Sequence, residues 1–155
     1  MPALTGGGFV TDDIPGCNPN KRVWQNNLNW GLSYPNPTGV IGNNYTIQMY
    51  VKNLNWGAAA SGRVRLIDFS GGTSDDGIYY SPSGSPIQKC LNVAPNGNVG
   101  PCPYFSLNRY HLITITRSSF TQMVDVYVDN FRFVSISDFA NAYVGVAGRP
   151  ITLYQ

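Results

Sequence analysis

Eight acids are the chain's whole stock of carboxylates, and all of them are aspartates, at positions 12, 13, 68, 75, 76, 125, 129 and 138. Cleavage of a glycosidic bond usually needs two carboxyl groups about 5 to 9.5 Å apart, with glutamate favoured at both places. No glutamate occurs here, and no stretch that reads as a strand carries a spaced acidic pair. The single histidine, His111, sits inside a β-patterned stretch, where a packed or solvated ring is the commoner role than a general base. The Gly-x-Ser-x-Gly elbow, the Cys and His spacings of a zinc site and a phosphate-cradling glycine loop are all absent. These absences exclude the common hydrolytic and phosphoryl-transfer chemistries, and the chain reads as non-enzymatic.

What the reactive residues can do is bind. Asp68, Asp75 and Asp76 lie in or beside a turn-rich segment, and several carboxylate oxygens converging from loops suit calcium, a hard cation that takes oxygen ligands. Asp129 with Asn130 offers a smaller oxygen set of the same kind. The competing role is plain turn chemistry: Asp-Asp-Gly is a turn sequence, and Asp68 can accept hydrogen bonds from the loop that follows it. Trp30, Tyr34, Trp56, Tyr79 and Tyr80 fall near loops, where flat aromatic faces can stack on sugar rings while Asn, Gln and Asp bond the hydroxyls. The competing role for each is core packing, because β-sandwiches need large aromatics. Asn44-Tyr45-Thr46 is an N-glycosylation sequon that matters only in a eukaryotic secretory pathway.

Cys90 and Cys102 bracket LNVAPNGNVGP, a Pro, Gly and Asn-rich loop that can fold back and bring two sulfurs together as a disulfide, the alternative being two buried thiols. Cys17 is then a free thiol, an intermolecular bridge, or the true partner of one of the others.

The elements that must position these residues are strands. Charged residues make up 12% of the 155 residues against about 25% in an average soluble protein, while aromatics reach 13%. That balance, with abundant Gly, Pro, Asn, Ser and Thr, fits an all-β extracellular domain. A net charge of +2 without a basic run leaves no footprint for nucleic acid, and no apolar run reaches the roughly 18 residues of a membrane span. Membrane insertion and nucleic-acid binding are set aside. One domain's length is present, enough to bury about two-thirds of the unfolded surface in a single core.

Residues 1–20 read as an irregular N-terminal arm with a short strand at Phe9-Val10, and 21–155 as a single domain. Val23-Trp24 and 28–32 suggest short strands. Tyr45 to Val51 alternates cleanly, with Tyr45, Ile47, Met49 and Val51 placed in the core and Thr46, Gln48 and Tyr50 on the other face. Residues 63–69, 78–80 and 87–91 are further strands. Tyr110 to Val134 forms the backbone of the fold: two strands joined by a polar connection at Ser118, Ser119 and Thr121, then Val124, Val126 and Val128 alternating with Asp125, Tyr127 and Asp129, and a two-residue hairpin turn at Asp129-Asn130 leading to Phe131. Ile136 to Tyr143 reads as a turn or a single helical turn, and Val144 to Val146 and Ile151 to Tyr154 as strands.

The order of a strand ending in Thr116-Arg117, a polar turn, Val-Asp-Val-Tyr-Val-Asp-Asn and an aromatic strand resembles the laminin-G-like, concanavalin A-like lectin-glucanase jelly-roll family. There a Tyr-Val-Asp-Gly hairpin follows such a strand, and Asn130 stands here in place of the glycine. Arg65-Leu-Ile-Asp-Phe69 and Thr73-Ser-Asp-Asp-Gly-Ile-Tyr79 are similar to that family's paired strands upstream. The resemblance implies an antiparallel β-sandwich of jelly-roll type, short of the family's last strand after Ile151 to Tyr154, so that one sheet is left with an edge to be filled by the N-terminal arm folding back, by a segment of a neighbouring molecule, or by a strand beyond this sequence. Many relatives in the superfamily bind calcium through loop aspartates. The function expected is a non-catalytic extracellular or cell-surface module that binds glycan, or an extracellular protein, through loops at one rim. The alternative is a self-assembling subunit joined to copies of itself through the open edge and the N-terminal arm.

Overall fold

The computed structural model describes residues 3–4, 7–12, 21–26, 31–54, 64–71, 73, 76–83, 85–94, 98–99 and 108–153. Trp30, Trp56, Asp75, Cys17 and Cys102 lie outside them. Among the described residues thirteen strands run in the order β1 (Ala3–Leu4), β2 (Gly7–Asp12), β3 (Lys21–Asn26), β4 (Leu32–Tyr34), β5 (Tyr45–Lys52), β6 (Val64–Asp68), β7 (Gly77–Ser83), β8 (Ser85–Ala94), β9 (Asn98–Val99), β10 (Tyr110–Ser118), β11 (Met123–Val128), β12 (Phe131–Ser137) and β13 (Ile151–Leu153). They make a seven-stranded sheet β1-β4-β13-β6-β7-β8-β9, a four-stranded sheet β12-β11-β10-β5 and a two-stranded ribbon β2-β3, every pairing antiparallel.

The central meander forms as its alternation dictates. In β10, His111, Ile113, Ile115 and Arg117 are buried while the residues between them are partly exposed, and in β11 Val124, Val126 and Val128 are buried. Asp129 and Asn130 both adopt positive φ, 49° and 70°, the left-handed pair that a tight two-residue hairpin needs and that Asp and Asn tolerate better than other side chains. Asp129 is further held in place: its carboxylate accepts the Leu112 amide at 2.9 Å and faces Nδ1 of His111 at 2.8 Å. A carboxylate can only accept here, so Nδ1 carries the proton, and the one histidine of the chain is spent on orienting a turn.

The inward faces of both large sheets meet in one core containing Leu66, Ile67, Ile78, Leu91 and Val93 from the seven-stranded sheet and Ile113, Ile115, Val124 and Val126 from the other. Phe69 joins the two layers. Its ring stacks on Tyr45 at 5.6 Å and meets Tyr143 edge-on at 6.1 Å.

Three expectations change. The stretch 1–20 holds a paired strand at Gly7–Asp12 and a short one at Ala3–Leu4, where only Phe9-Val10 was expected. Val144 to Val146 is loop where a strand was expected, while Ile136 to Tyr143 contains the end of β12 followed by turns, the first of the two readings given for it. Most consequential, β13 has no open edge: it pairs with β6 on one side and β4 on the other, and β1 in turn pairs with β4. The early residues 3–4 and 32–34 fill the place where a strand seemed to be missing.

Candidate ligand-binding rim

At one end of the sandwich three connections gather: residues 35–44 before β5, 119–122 between β10 and β11, and 138–150 between β12 and β13. What fixes them begins with the alternation of β10. A charged residue falls on the inward face at Arg117, two places beyond Ile115, and a guanidinium buried there must find partners for its N–H groups. Nε donates to Oδ2 of Asp138 at 2.6 Å, Nη2 to Oδ1 of Asn141 at 2.7 Å and Nη1 to the Asn43 carbonyl at 2.5 Å. Both side chains of the ion pair are 1% exposed. Asp138 in turn accepts the amides of Ala142 at 2.7 Å and Tyr143 at 3.4 Å, and its own amide bonds to the Gln122 carbonyl at 2.7 Å. One buried cation thereby ties together all three connections.

A second clamp is the amide of Asn36, whose residue is fully buried. Its Oδ1 accepts from the Ile41 amide at 3.2 Å, and its Nδ2 donates toward the carbonyls of Ile41 and Val146, each at 3.4 Å. The Asn36 carbonyl also receives the Gly148 amide at 2.8 Å. Gly145 passes so close that an added Cβ would collide with the Ile41 carbonyl and sit 3.0 Å from Asn36 Nδ2, which is why no larger residue fits there. The Ser119 amide donates to Oδ1 of Asn44 at 2.7 Å.

Tyr45 underlies this clamp, its hydroxyl donating to the Tyr143 carbonyl at 2.8 Å. Burial pushes its pKa well above the ordinary tyrosine value; Arg117 opposes the shift, while Asp138 and Tyr143 add to it. A folded-state pKa raised above the unfolded one contributes stability that is full below the unfolded pKa and lost as pH climbs past it. The fold should therefore weaken above about pH 10, and Tyr45→Phe should lose roughly 1 kcal/mol at neutral pH yet show a flatter alkaline slope. Urea midpoints on both sides of that pH check this; equal slopes in the two proteins would count against it.

On this fixed base the loop tips expose apolar groups. Phe120 is 96% exposed and Phe139 is 72% exposed, with Val40 and Val146 also open to solvent. Asn43, Asn44, Thr121 and Asn141 are exposed among them. Of the residues in the three connections only Asp138 and Arg149 carry charge, and Asp138 is consumed internally. The rim is thus nearly neutral, aromatic and amide-rich, held by loops whose geometry is set before any ligand arrives.

The residues singled out from sequence fall elsewhere. Tyr34, on β4, is 38% exposed and shares the face of Ile151, its partner across the ladder. Tyr79 lies on the opposite face of the same sheet and is 3% exposed, with the Arg65 guanidinium 5.6 Å from its ring centroid. Tyr80 is placed in β7 opposite Leu91, and Cys90 in β8 opposite Ser81. Asp68 is fully buried on the face of Tyr79; its Oδ1 accepts the Ser70 amide at 2.6 Å and hydroxyl at 2.7 Å, and Oδ2 lies 3.2 Å from Arg65. The Asp76 carbonyl accepts from the Phe69 amide. Among the described residues no three His, Cys or Asp side chains converge as a metal site. Phe120 and Phe139 escaped notice because they sit inside polar, turn-like sequence. The signal was there all the same, since a phenylalanine between Ser119 and Thr121 has no core to enter.

Compared with known proteins, the sequence matches no family model and no curated protein. The fold does find likenesses. Domain 4 of an extracellular arabinanase from Geobacillus stearothermophilus, solved with arabinotriose, superposes with a TM-score of 0.60 at 16% identity over 96% of this chain and 66% of that one. The binding domain of a paraclostridial mosquitocidal protein gives 0.52 at 14% identity over 97% of this chain and 38% of that one. Sheep galectin-11, solved with glycerol, gives 0.48 at 12% identity, covering 84% and 92%. The chain spans about two-thirds of the arabinanase domain and well under half of the toxin domain. The likeness is one of fold: an antiparallel β-sandwich shared with these two domains.

Proposed function

We propose that this chain is a non-catalytic glycan-binding module that works outside the cell, and that it takes neutral sugar at the rim through the rings of Phe120 and Phe139. The observation that carries this is the pairing of two solvent-facing phenylalanines with exposed amides on loops clamped by Arg117 and Asn36. Stacking on aromatic faces and hydrogen bonding to amides are how proteins hold polyhydroxylated rings, and a near-neutral rim suits an uncharged ligand. The likeness to an arabinanase domain solved with arabinotriose agrees with such a role without assigning it. The non-catalytic part of the proposal rests on the lack of any glutamate and on four of the eight aspartates: Asp68 and Asp138 are buried and hydrogen-bonded, Asp129 is engaged by His111 and Leu112, and Asp125 lies 4.0 Å from Arg132.

Affinity electrophoresis in gels containing arabinan, galactan or glucan, with calcium and with EDTA, tests this directly. At least one neutral polysaccharide should retard the wild type. Phe120→Ala and Phe139→Ala should each weaken binding roughly tenfold at unchanged melting temperature. Free migration in every polysaccharide, or retardation untouched by both substitutions, would remove the rim from the account.

A further inference from the structure

β2 and β3 belong to neither large sheet. They form a ribbon of their own, paired without a break from Gly7↔Asn26 to Asp12↔Lys21. A two-stranded ribbon is marginally stable in water and depends on its cross-strand pairs. Register puts Gly7, Phe9 and Thr11 on one face together with Trp24 and Arg22. Trp24 meets Phe9 edge-on at 5.1 Å, and its ring lies so close over Gly7 that an added Cβ would come within 2.9 Å of Cζ2. Cζ of Arg22 lies 4.7 Å from the centroid of the Phe9 ring. An indole, a phenyl ring and a guanidinium thus form one row, and it faces solvent: Phe9 is 53% exposed, Thr11 and Arg22 are exposed and Trp24 is half-buried.

The cation in this row is handled differently from those of the sandwich. Arg65, Arg117 and Arg132 each meet an aspartate, at 3.2, 2.6 and 4.0 Å. Arg22 meets a ring instead. A ring face attracts the charge but accepts few of the five N–H donors, so the contact holds the fork in place without neutralising it. No acid falls on this face of the ribbon. The charge and shape missing from the row are those of a carboxylate, which a guanidinium takes bidentate, carried on a ring whose C–H face can lie against Trp24 and Phe9.

We propose that this face of the ribbon is a second binding site, which takes a uronate-bearing polysaccharide: Arg22 holds the sugar carboxylate, and Trp24 and Phe9 hold the sugar ring. A uronate is favoured over a neutral sugar by the uncompensated charge, and over a sulfated one because a planar carboxylate matches the planar fork. Thr11, opposite Arg22, adds an exposed hydroxyl. None of the three rim connections contributes to the ribbon, so binding here and binding at the rim stand or fall separately.

Titration calorimetry of the whole chain with polygalacturonate in EDTA tests this, with the fully methyl-esterified polymer and dextran sulfate as comparisons. The ester keeps the sugar backbone and removes the charge, and it should bind at least about tenfold more weakly. Arg22→Gln should weaken polygalacturonate binding by a similar factor, and Arg22→Lys, which keeps the charge but loses the fork, by less. Trp24→Ala should weaken it too, and Trp24→Phe, which keeps a ring across the ladder, should restore part. Lys21→Gln changes a charge on the opposite face and should leave binding intact, as should Phe120→Ala combined with Phe139→Ala. No binding of polygalacturonate, equal binding of the ester, binding of dextran sulfate as tight as that of polygalacturonate, or equal losses from Lys21→Gln and Arg22→Gln would overturn the proposal. Binding lost in the rim double variant but kept in Arg22→Gln would move the acidic chain to the rim and overturn it equally.

Discussion

Replacing Arg117 with methionine should cost about 3–5 kcal/mol of folding free energy, the largest loss expected from any single rim substitution. Methionine fills much of the space of the arginine stem, so the loss measures the stranded partners and not a cavity. Asp138 would stay buried, still taking the Ala142 and Tyr143 amides but without the cation that balances it, and the Asn43 carbonyl would lose its donor. Burying one ion after its partner is removed is the costly half of such a pair. A lower urea midpoint at unchanged m is the readout, together with faster amide exchange over 138–146, the segment Asp138 organises. Combining Arg117→Met with Asp138→Asn should recover part of the loss, because the neutral amide has no charge to strand and keeps an oxygen for the Ala142 amide. A single-mutant loss below about 1 kcal/mol would mean that the pair behaves as a solvated surface bridge and that something else fixes the rim.

Phe69→Ala should be comparably severe, about 3–5 kcal/mol. Phe69 is 1% exposed and follows β6 directly, so its ring comes from the seven-stranded sheet, while Tyr45 comes from the first residue of β5 in the other sheet and Tyr143 from the rim loop. Truncation removes the one ring that touches both and leaves a cavity at the junction of three elements, each held on its far side by hydrogen bonds that resist collapse. Phe69→Leu keeps most of the volume and should cost much less, which separates lost packing from lost ring stacking. Chemical denaturation of the two variants decides it; equal losses would place the stabilisation in the aromatic geometry.

How far this could be foreseen depended on the range of the interaction. The meander of β10, β11 and β12 was legible because its determinants are local: period-2 valines that must share a face, and Asp129-Asn130 at the place where positive φ is required. The seven-stranded sheet was not, since its order brings residues 3, 33, 152 and 68 side by side, and no local pattern announces such partners. That is also why β13 looked orphaned. Tyr79 illustrates a different gap. An aromatic on a strand between turns reads the same whether its ring meets solvent or not, and only the pairing of β7 with both β6 and β8 shows it to be central. Arg117 was the most informative residue left unused: Ile113, Ile115 and Arg117 share a face by simple alternation, and a cation on an apolar face implies a buried acceptor somewhere downstream. Asp138 is that acceptor.

Gly145 limits how the rim can change. Any side chain there would strike the Ile41 carbonyl and press on the Asn36 amide that holds two of the connections, so substitutions that alter what the rim meets are confined to its exposed tips, Phe120 and Phe139 among them. The base is the part that must stay, and the tips are the part free to diverge.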